Sequence, residues 1–262
     1  MAKPRHIELE DGTVIPILYE DRSVLAIDKP AGWMLAPDSW DRTGRNLHLA
    51  LQSSIEAGDY WARSRSLKFL RFVHRLDAGT SGVLLMARSR GALQVFSELF
   101  ETRRVEKAYL AVIRGQPRQA SWTCDLPLGA DPRATGLMRV DRRAGKDAQT
   151  HFRVLQTGPA RSLLEARPVT GRTHQIRVHL AEAGHPVLGD SFYGGEQVKA
   201  RGGQAPLALR AIRLAYRDPF QKRAVIIEAP HAEFVQAHGF EPPRRDTFGF
   251  ANREVRDKTL PI

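Results

Sequence analysis

The eleven residues from Phe72 to Gly82, with the apolar run after them, constrain the fold of this chain most strongly. Phe69 to Val73 is rich in aromatic and branched residues, and Val83 to Ala87 is apolar and short enough for a buried strand. The residues DAGTSG between these runs are turn formers, including two glycines that tolerate positive φ. We therefore predict a strand, a tight turn and a second strand, with Asp77 held where the first strand ends. Most aspartates in such turns only close the turn, so a catalytic role needs support from elsewhere in the chain.

The charge of the chain indicates a polyanionic partner. Its 262 residues carry 40 lysines and arginines against 29 aspartates and glutamates, a formal net charge of +11. This excess favours nucleic acid as the partner, with an anionic membrane surface as the second choice. The first residues lack the apolar core of a signal peptide, and no apolar run reaches the length of a bilayer span. Insertion into a membrane is therefore not expected.

The rest of the pattern predicts an α+β fold, a single domain around a mixed, mostly antiparallel β-sheet with flanking helices and loops. Strand-like and helix-like segments follow one another irregularly, unlike the regular alternation of a βαβ array. Predicted strands cover residues 17–20, 24–27, 107–113, 151–155, 163–166, 207–216 and 224–228. Predicted helices run from Asn46 to Ala57, from Arg90 to Thr102 and from Thr173 to near Gly184, with a helical turn at 233–238. We divide the chain into an N-terminal extension (1–15), a main domain (16–238) and a peripheral C-terminal tail (239–262).

Residues Asp125 to Asp147 lose the periodicity of the flanking strands. They predict a long basic loop or a twisted hairpin. The ordinary interpretation of a charged run is a solvated surface excursion. In so basic a chain we favour a mobile arm that follows phosphates. Its basic residues include Arg139, Arg142, Arg143 and Lys146.

Neither the cysteine nor the histidines predict a metal site. A single cysteine, Cys124, excludes an internal disulfide and a multi-cysteine zinc site, so a reducing cytoplasm is the expected location. His174, His179 and His185 lack the i, i+4 spacing with which zinc hydrolases present two ligands on one helix face. We expect these histidines to lie in the core or to contact RNA.

Three other kinds of site are not supported around the central turn. Gly79 and Gly82 are not followed by the Gly-Lys-Ser/Thr ending of a phosphate-binding loop. A glycosidase needs a second carboxylate facing Asp77, and nothing in the sequence singles one out. Ser81 lacks the nucleophile elbow of a hydrolase. One carboxylate, several arginines within apolar strands and the aromatic side chain of Tyr109 remain.

The segment from His74 to Gly82, HRLDAGTSG, resembles the HRLDxxTSG signature of the RluA family of pseudouridine synthases. Further segments resemble other motifs of this family in the same order, and together they cover residues from about 17 to 230. They are residues 19–21 with 28–32 (YED and DKPAG), 107–111 (KAYLA), 145–150 (GKDAQT), 171–179 (GRTHQIRVH) and 185–190 (HPVLGD). The resemblance implies a pseudouridine synthase fold, with residues 16–238 as its catalytic domain.

The resemblance also implies a reaction and a set of roles. The family breaks the N-glycosidic bond of a uridine in RNA, turns the uracil and rejoins it through C5, without a metal or redox cofactor. Asp77 corresponds to the nucleophile, and a carboxylate is suited to capturing a sugar or base carbon covalently. Tyr109 would stack on the uracil and help the C5 proton leave, and Arg177 would pair with Asp77 and keep it ionised. Arg75 would enter the space left by the flipped nucleotide.

Arg172 competes with Arg177 as the partner of Asp77. The two lie five residues apart, about 500° of rotation on a helix, so only one of them is expected to face Asp77. The resemblance favours Arg177. We assign RNA contacts to a set of basic side chains: His74, Arg75, Arg172, His174, Arg139, Arg142, Arg143 and Lys146.

Two departures from the family pattern bear on the substrate. Leu35-Ala36-Pro37 stands where many relatives have a His-Pro pair, and Leu209-Arg210-Ala211 replaces the usual Leu-His-Ala. Both are expected to alter RNA contacts. Because few residues precede Ile17, we expect the catalytic domain itself to bind RNA.

The sequence therefore predicts a monomeric RNA pseudouridine synthase acting on ribosomal or transfer RNA. The alternative is a catalytically silent RNA-binding or ribosome-assembly protein on the same fold. Only the basic charge favours this alternative. The presence of Asp77, Tyr109 and Arg177 favours the enzyme.

Overall fold

The computed structural model describes residues 2–35, 45–194, 199–200, 203–204 and 206–243. The strands in these ranges are β1 (His6–Glu8), β2 (Val14–Glu20), β3 (Val24–Lys29), β4 (Arg71–Phe72), β5 (Ser81–Ala87), β6 (Val105–Arg114), β7 (Ser121–Cys124), β8 (Leu128–Ala130), β9 (Met138–Val140), β10 (Thr150–Thr157), β11 (Arg161–Pro168), β12 (Lys199–Ala200), β13 (Gly203–Gln204), β14 (Leu209–Arg217) and β15 (Ala224–Glu228). The helices are α1 (Leu47–Glu56), α2 (Tyr60–Arg63), α3 (Arg90–Glu101), α4 (Gln175–Glu182) and α5 (Ala232–Ala237).

One large sheet organises the described part of the chain. Nine strands follow the order β1-β2-β3-β5-β14-β6-β11-β10-β7, with β15 paired to β14 and β4 paired to β5. Within the described residues of this sheet, β14 and β5 form the one parallel pair, and the other pairings are antiparallel. The predicted α+β class with a mixed, mostly antiparallel sheet is confirmed.

The predicted strand, turn and second strand are present at the centre of this sheet, but β4 ends at Phe72, so Asp77 lies in the connection to β5 rather than at the end of the first strand. Phe72 on β4 pairs with Met86 on β5, and the apolar residues of β5 are fully buried. The turn closes where the amide of Thr80 donates to the carbonyl of Asp77 at 3.0 Å. The nucleophile candidate is therefore carried by a short connection between two elements of a packed sheet.

Helices cover the sheet where its apolar side chains need burial. The predicted helix at 90–102 is confirmed as α3, with the Ser89 hydroxyl accepting from the Ala92 amide at 3.1 Å. Its fully buried Phe96 contacts Tyr216 of β14 edge to face, with ring centroids 5.4 Å apart. The predicted helix after Asn46 is confirmed as α1, and the Asn46 side chain accepts from the Leu49 amide.

Residues assigned to the two ends of the chain contribute to this core. In the predicted N-terminal extension, β1 pairs with β2, and Ile7, Leu9 and Ile15 are buried in the cluster that includes α1. In the predicted tail, Phe240 packs against the cluster that includes β10 and β11. The domain boundaries stay predictions, and residues 244–262 lie outside the described part of the chain.

The basic segment 125–147 contains an antiparallel hairpin. Leu128 on β8 pairs with Val140 on β9, so the hairpin alternative is confirmed. Leu128 is also buried against Val178 of α4, which anchors the base of this basic hairpin to the main body. Its mobility and its contact with phosphates stay predictions.

Some local predictions differ from the structure. Strands β1 and β7 and helix α2 have patterns too short to be recognised from the sequence. Residues 199–204 read as a polar break, yet β12 and β13 pair there. Ala36 and Pro37, part of one departure from the family pattern, lie outside the described residues. No helix in the described ranges combines the length and apolar character needed to cross a membrane.

Gly82 provides a test of the parallel contact between β5 and β14. Its φ is +109°, and an added Cβ would lie 2.0 Å from the carbonyl oxygen of Ala211 on β14. Since this neighbour is backbone within the sheet, we expect Gly82→Ala to abolish cooperative thermal unfolding or lower Tm sharply.

Gly91→Ala is the matched control. Gly91 lies on α3 with open space around its Cβ position, so alanine should raise stability by about 1 kcal/mol. Equal and small effects of the two substitutions would contradict the close approach of β5 and β14.

Candidate active site

A cleft of about 560 Å³ opens beside the turn that carries Asp77. Several elements line it, among them the connection from β4 to β5, strand β6 at Tyr109, the end of α3 and the start of α4. Asp77, Tyr109 and Arg177 all border this space, although 100 residues separate the first from the last. The pairing of β5 with β14 and of β14 with β6 brings Asp77 close to Tyr109, and Arg177 lies on α4, which follows β11, the other neighbour of β6.

Arg177 lies between two carboxylates. Its Nη1 donates to Oδ2 of Asp77 at 3.0 Å. Its Nε and Nη2 donate to the two carboxylate oxygens of Asp190 at 2.8 and 2.9 Å, a bidentate pair. The side chain of Arg177 is 6% exposed, that of Asp190 is fully buried, and that of Asp77 is 22% exposed. The more accessible carboxylate is therefore the one that faces the cleft.

Arg177 and Arg172 have different partners. Arg172 directs its Nε to the carbonyl of Asp147 at 2.9 Å, and its amide donates to the side chain of Gln175. The guanidinium paired with Asp77 thus belongs to Arg177, as predicted. Its catalytic role stays a prediction.

The pair of Arg177 and Asp190 is stabilised as two charges. Burial disfavours the charged form of Arg177, but hydrogen bonds and charge from Asp190 and Asp77 outweigh burial and raise its pKa. Burial likewise opposes ionisation of Asp190, and its bonds to Arg177 and to the amides of Phe192 and Tyr193 lower its pKa. The guanidinium also lies 5.3 and 5.1 Å from the ring centroids of Phe192 and Tyr193.

A buried lysine holds the backbone of the Asp77 turn. The Nζ of Lys29 donates to the carbonyls of Pro30, Ala78 and Thr80 at 2.9, 3.0 and 2.8 Å. Its side chain is inaccessible, and burial lowers its pKa to about 7, with the charge of Asp77 opposing that shift. Lys29 thereby fixes the carbonyls of Ala78 and Thr80, the residues on either side of Gly79.

Tyr109 forms part of the cleft wall opposite the turn. It pairs with Ala166 of β11 and Ala211 of β14, so its backbone is held from both sides. Burial and then the charge of Asp77 raise the pKa of its hydroxyl, which keeps the phenol neutral at physiological pH. A neutral ring at this position presents a flat face to a planar ligand.

The predicted RNA contacts near the cleft divide into two groups. Arg75 is exposed at the cleft, as an RNA-contacting side chain requires, and Arg172 borders it. His74 instead stacks on Phe100 with centroids 4.6 Å apart, and its Nε2 accepts from the Leu85 amide at 3.0 Å. Burial lowers its pKa to about 3, so its ring is neutral and Nε2 is used inside the protein.

The basic hairpin places its predicted contacts at the surface. Arg139, Arg142, Arg143 and Lys146 are exposed. Arg139 lies 3.6 Å from a carboxylate oxygen of Asp141, a pair that solvent screens. These side chains are available to a polyanion, and their role stays a prediction.

The three histidines considered above as metal ligands, His174, His179 and His185, contact different groups. His174 Nδ1 lies 2.8 Å from the Tyr193 hydroxyl. His179 contacts the Thr150 hydroxyl and the Leu126 carbonyl, and His185 contacts the Arg114 carbonyl. Each imidazole therefore has its own partners.

Comparisons with known proteins identify the family. Residues 23–182 match the family described as RNA pseudouridylate synthase. The chain is 36% identical to an uncharacterized RNA pseudouridine synthase of Bacillus subtilis over 231 residues, 85% of this chain and 72% of that protein. The chain belongs to the RNA pseudouridylate synthase family.

Other relatives agree with this family. The chain is 37% identical to ribosomal large subunit pseudouridine synthase C of Salmonella typhimurium over 221 residues, 82% of this chain and 66% of that enzyme. The solved structure of human RNA pseudouridylate synthase domain containing 1 superposes with a TM-score of 0.65 at 30% identity, covering 82% of this chain and 83% of that one. The family resemblance and the enzyme class predicted from the sequence are confirmed.

Sequence reasoning missed two residues of this family member's site. Asp190 clamps Arg177, and Lys29 holds the turn. Both lie within segments that resemble family motifs, and that was the available signal. Their roles depend on contacts over 13 and 49 residues, which no local pattern shows.

Asp190→Asn tests the buried pair. Removing one partner leaves Arg177 poorly compensated, so we expect the free energy of unfolding at pH 7 to fall by about 3 to 5 kcal/mol. The folded pKa of Asp190 lies below the ordinary 3.8, so its contribution is complete above about pH 4 and is lost as the pH falls through the lowered pKa. Urea unfolding between pH 3 and pH 8 measures this difference from the wild-type protein.

Glu233→Gln, at an exposed position on α5, is the control for this measurement. It should leave stability nearly unchanged. A loss for Asp190→Asn that is the same at pH 3 and pH 7 would show that the carboxylate charge is not what Arg177 needs.

Proposed function

We propose that this chain isomerises a specific uridine of a structured RNA to pseudouridine, with Asp77 as the nucleophile. The observation that carries the proposal is the accessible carboxylate of Asp77, ion-paired at 3.0 Å with the buried Arg177 in a cleft walled by Tyr109. The family of the chain is that of enzymes which catalyse this reaction. The residue roles below are part of the proposal.

The reaction conserves every atom of the uridine. The bond between N1 of uracil and C1′ of ribose breaks, the bond between C5 and C1′ forms, and a proton leaves C5 while N1 gains one. No electrons are gained or lost overall, so the residues of the cleft need only supply a nucleophile, a cation and proton transfer. Asp77 would capture a carbon of the nucleoside while the uracil turns.

Arg177 would hold the carboxylate of Asp77 in place for attack. Because Asp190 satisfies Nε and Nη2, one donor of the guanidinium remains directed at Asp77. A bidentate clamp also fixes the plane of the guanidinium, which holds the nucleophile in one orientation. Arginine stays charged even when buried, unlike lysine.

Tyr109 would support the flipped uracil. A nucleotide must leave the RNA stack before C1′ and C5 can be reached, and an aromatic face recovers part of the lost stacking. Its hydroxyl would assist removal of the C5 proton. Arg75, exposed beside Asp77, would occupy the space that the nucleotide leaves.

Ribosomal RNA is the substrate we favour. The named Salmonella typhimurium relative is a ribosomal large subunit enzyme, and the net charge of +11 suits a large RNA. Transfer RNA remains the second substrate class. We also propose that the chain acts as a monomer in the cytoplasm.

Asp77→Asn tests the nucleophile. The amide keeps the shape and loses the nucleophilic oxygen, so tritium release from RNA labelled at C5 of uridine should fall to background. RNA affinity, measured by gel shift, should change little. Asp11→Asn, in the N-terminal hairpin, is the control and should retain full activity.

Two other outcomes would contradict the proposal. Turnover by an Asp77→Asn preparation free of wild-type enzyme would show that Asp77 is not the nucleophile. If the wild-type chain binds RNA but yields no tritium from ribosomal or transfer RNA, the silent RNA-binding protein is favoured. If the wild-type chain is active, carbodiimide mapping of pseudouridines in RNA from cells with and without the gene identifies the target uridine.

Replacing Arg139, Arg142 and Arg143 with glutamine tests the basic hairpin. If each contacts one phosphate, the slope of log affinity against log salt should fall by about 2 to 3. The single-turnover rate at saturating RNA should not change. The control replaces Arg63, Lys68 and Arg90, three exposed cations outside the cleft, with glutamine. Equal salt slopes for the two triple variants would favour the alternative interpretation, in which the hairpin is a solvated surface excursion without phosphate contacts.

A further inference from the structure

His174 has an unusual backbone conformation beside the nucleophile. It precedes α4 with φ of 54° and ψ of 18°, the left-handed region that costs a residue with a Cβ about 1 kcal/mol or more. Its side chain makes no capping bond to the helix. Instead, its ring borders the cleft and contacts Tyr193, with centroids 5.6 Å apart. The strained backbone thus places an imidazole at the reacting centre.

The contacts of Tyr193 favour one tautomer of His174. The amide of Met138 donates to the oxygen of Tyr193 at 2.9 Å. This contact leaves the hydroxyl proton of Tyr193 free to be donated to Nδ1 of His174, 2.8 Å away. An accepting Nδ1 places the proton of the neutral ring on Nε2.

The Nε2 atom faces Asp77 across a gap. It lies 3.9 Å from Oδ2 of Asp77, too far for a direct hydrogen bond. Burial and the charges of Arg177 and Arg75 lower the pKa of His174, although Asp77 and Asp190 oppose the shift. A neutral N–H donor is therefore available to a third group that enters between the two side chains.

We propose that His174 is a catalytic residue whose Nε2–H donates a hydrogen bond to a carbonyl oxygen of the target uracil, and that Tyr193 positions it by fixing its tautomer. This inference rests on the proposed function. Whether Asp77 captures a sugar carbon or a base carbon, negative charge accumulates on the uracil oxygens. A donor fixed before the reaction stabilises that charge more than it stabilises the neutral base.

The same contacts connect the hairpin to the reaction. Met138 lies on β9, so the hydroxyl that fixes His174 is itself held by the basic hairpin. Tyr193 also donates its amide to Asp190, the residue that clamps Arg177. The backbone of the hairpin therefore supports the side chains around Asp77 whether or not its arginines contact RNA.

The first measurement is the tautomer of His174. Long-range ¹H–¹⁵N correlation spectra of the ¹⁵N-labelled chain distinguish a protonated from an unprotonated Nδ1, and His174→Gln identifies the signals of this residue among nine histidines. We expect a bare Nδ1 in the wild-type protein and a mixture of tautomers in Tyr193→Phe. Tyr60→Phe, far along the chain and partly exposed, is the control and should leave the spectrum unchanged. A proton on Nδ1 in the wild-type protein would overturn the inference.

The second measurement compares two replacements of His174. The amide nitrogen of glutamine reaches the position of Nε2, whereas that of asparagine reaches only the position of Nδ1. We expect His174→Asn to lower the single-turnover rate at saturating RNA by about 100-fold with little change in affinity. His174→Gln should recover much of that loss, and Tyr193→Phe should cost about tenfold. Backbone strain alone predicts the opposite order, since asparagine tolerates positive φ better than glutamine.

The outcomes separate this inference from the proposed function. Equal rates for His174→Asn and His174→Gln, or a loss confined to RNA affinity, would overturn the catalytic role of His174 while leaving Asp77 as the nucleophile. A wild-type protein without turnover would overturn the proposed function, and the role of His174 with it.

Discussion

The candidate site depends on how the guanidinium of Arg177 is kept charged inside the protein. A buried cation is costly unless a carboxylate and further hydrogen bonds compensate it. Asp190 supplies both oxygens, and the amides of Phe192 and Tyr193 satisfy Asp190 in turn. One guanidinium nitrogen is left over, and it faces Asp77. Asp190 thus provides most of the compensation for the buried guanidinium, and Asp77 adds to it from the cleft side.

Lys29 complements Arg177 in a different way. Arg177 binds the carboxylate of Asp77, whereas Lys29 binds the carbonyls of the next residues and fixes the backbone of the turn. Lys29 reaches the turn from β3 and Arg177 reaches it from α4, so the pairing of β3 with β5 and the packing of α4 must both be in place before the turn is held by both side chains. The position of Asp77 therefore depends on contacts from distant parts of the fold. Such support keeps a residue that contacts substrate in one geometry.

Local patterns account for most elements but not for the contacts that define the site. The sequence predicts α3 and the strands around Asp77 because apolar periodicity and capping residues are local signals. Strand β1 is missed because three residues carry no period, although Ile7 is fully buried. Arg177 was distinguished from Arg172 by family resemblance more than by helical geometry. The role of Lys29 depends on the pairing of β3 with β5, and that of Asp190 on packing of the loop after α4 against the helix; no local pattern displays either contact.

The departure from the family pattern at Arg210 has a structural explanation. We expected it to alter RNA contacts, but its side chain is only 11% exposed. Its guanidinium reaches Asp28 at 2.6 Å, the Ser81 hydroxyl at 3.1 Å and the Pro230 carbonyl at 2.9 Å. Asp28 directly precedes Lys29, which holds the Asp77 turn, and Ser81 is the first residue of β5, the strand after that turn. The shorter imidazole of the usual histidine has only two ring nitrogens and cannot bond to all three groups, so this chain joins β3, β5 and β14 behind the nucleophile through a single arginine. The substitution therefore bears on how firmly the turn is supported, and its effect on RNA contacts stays a prediction.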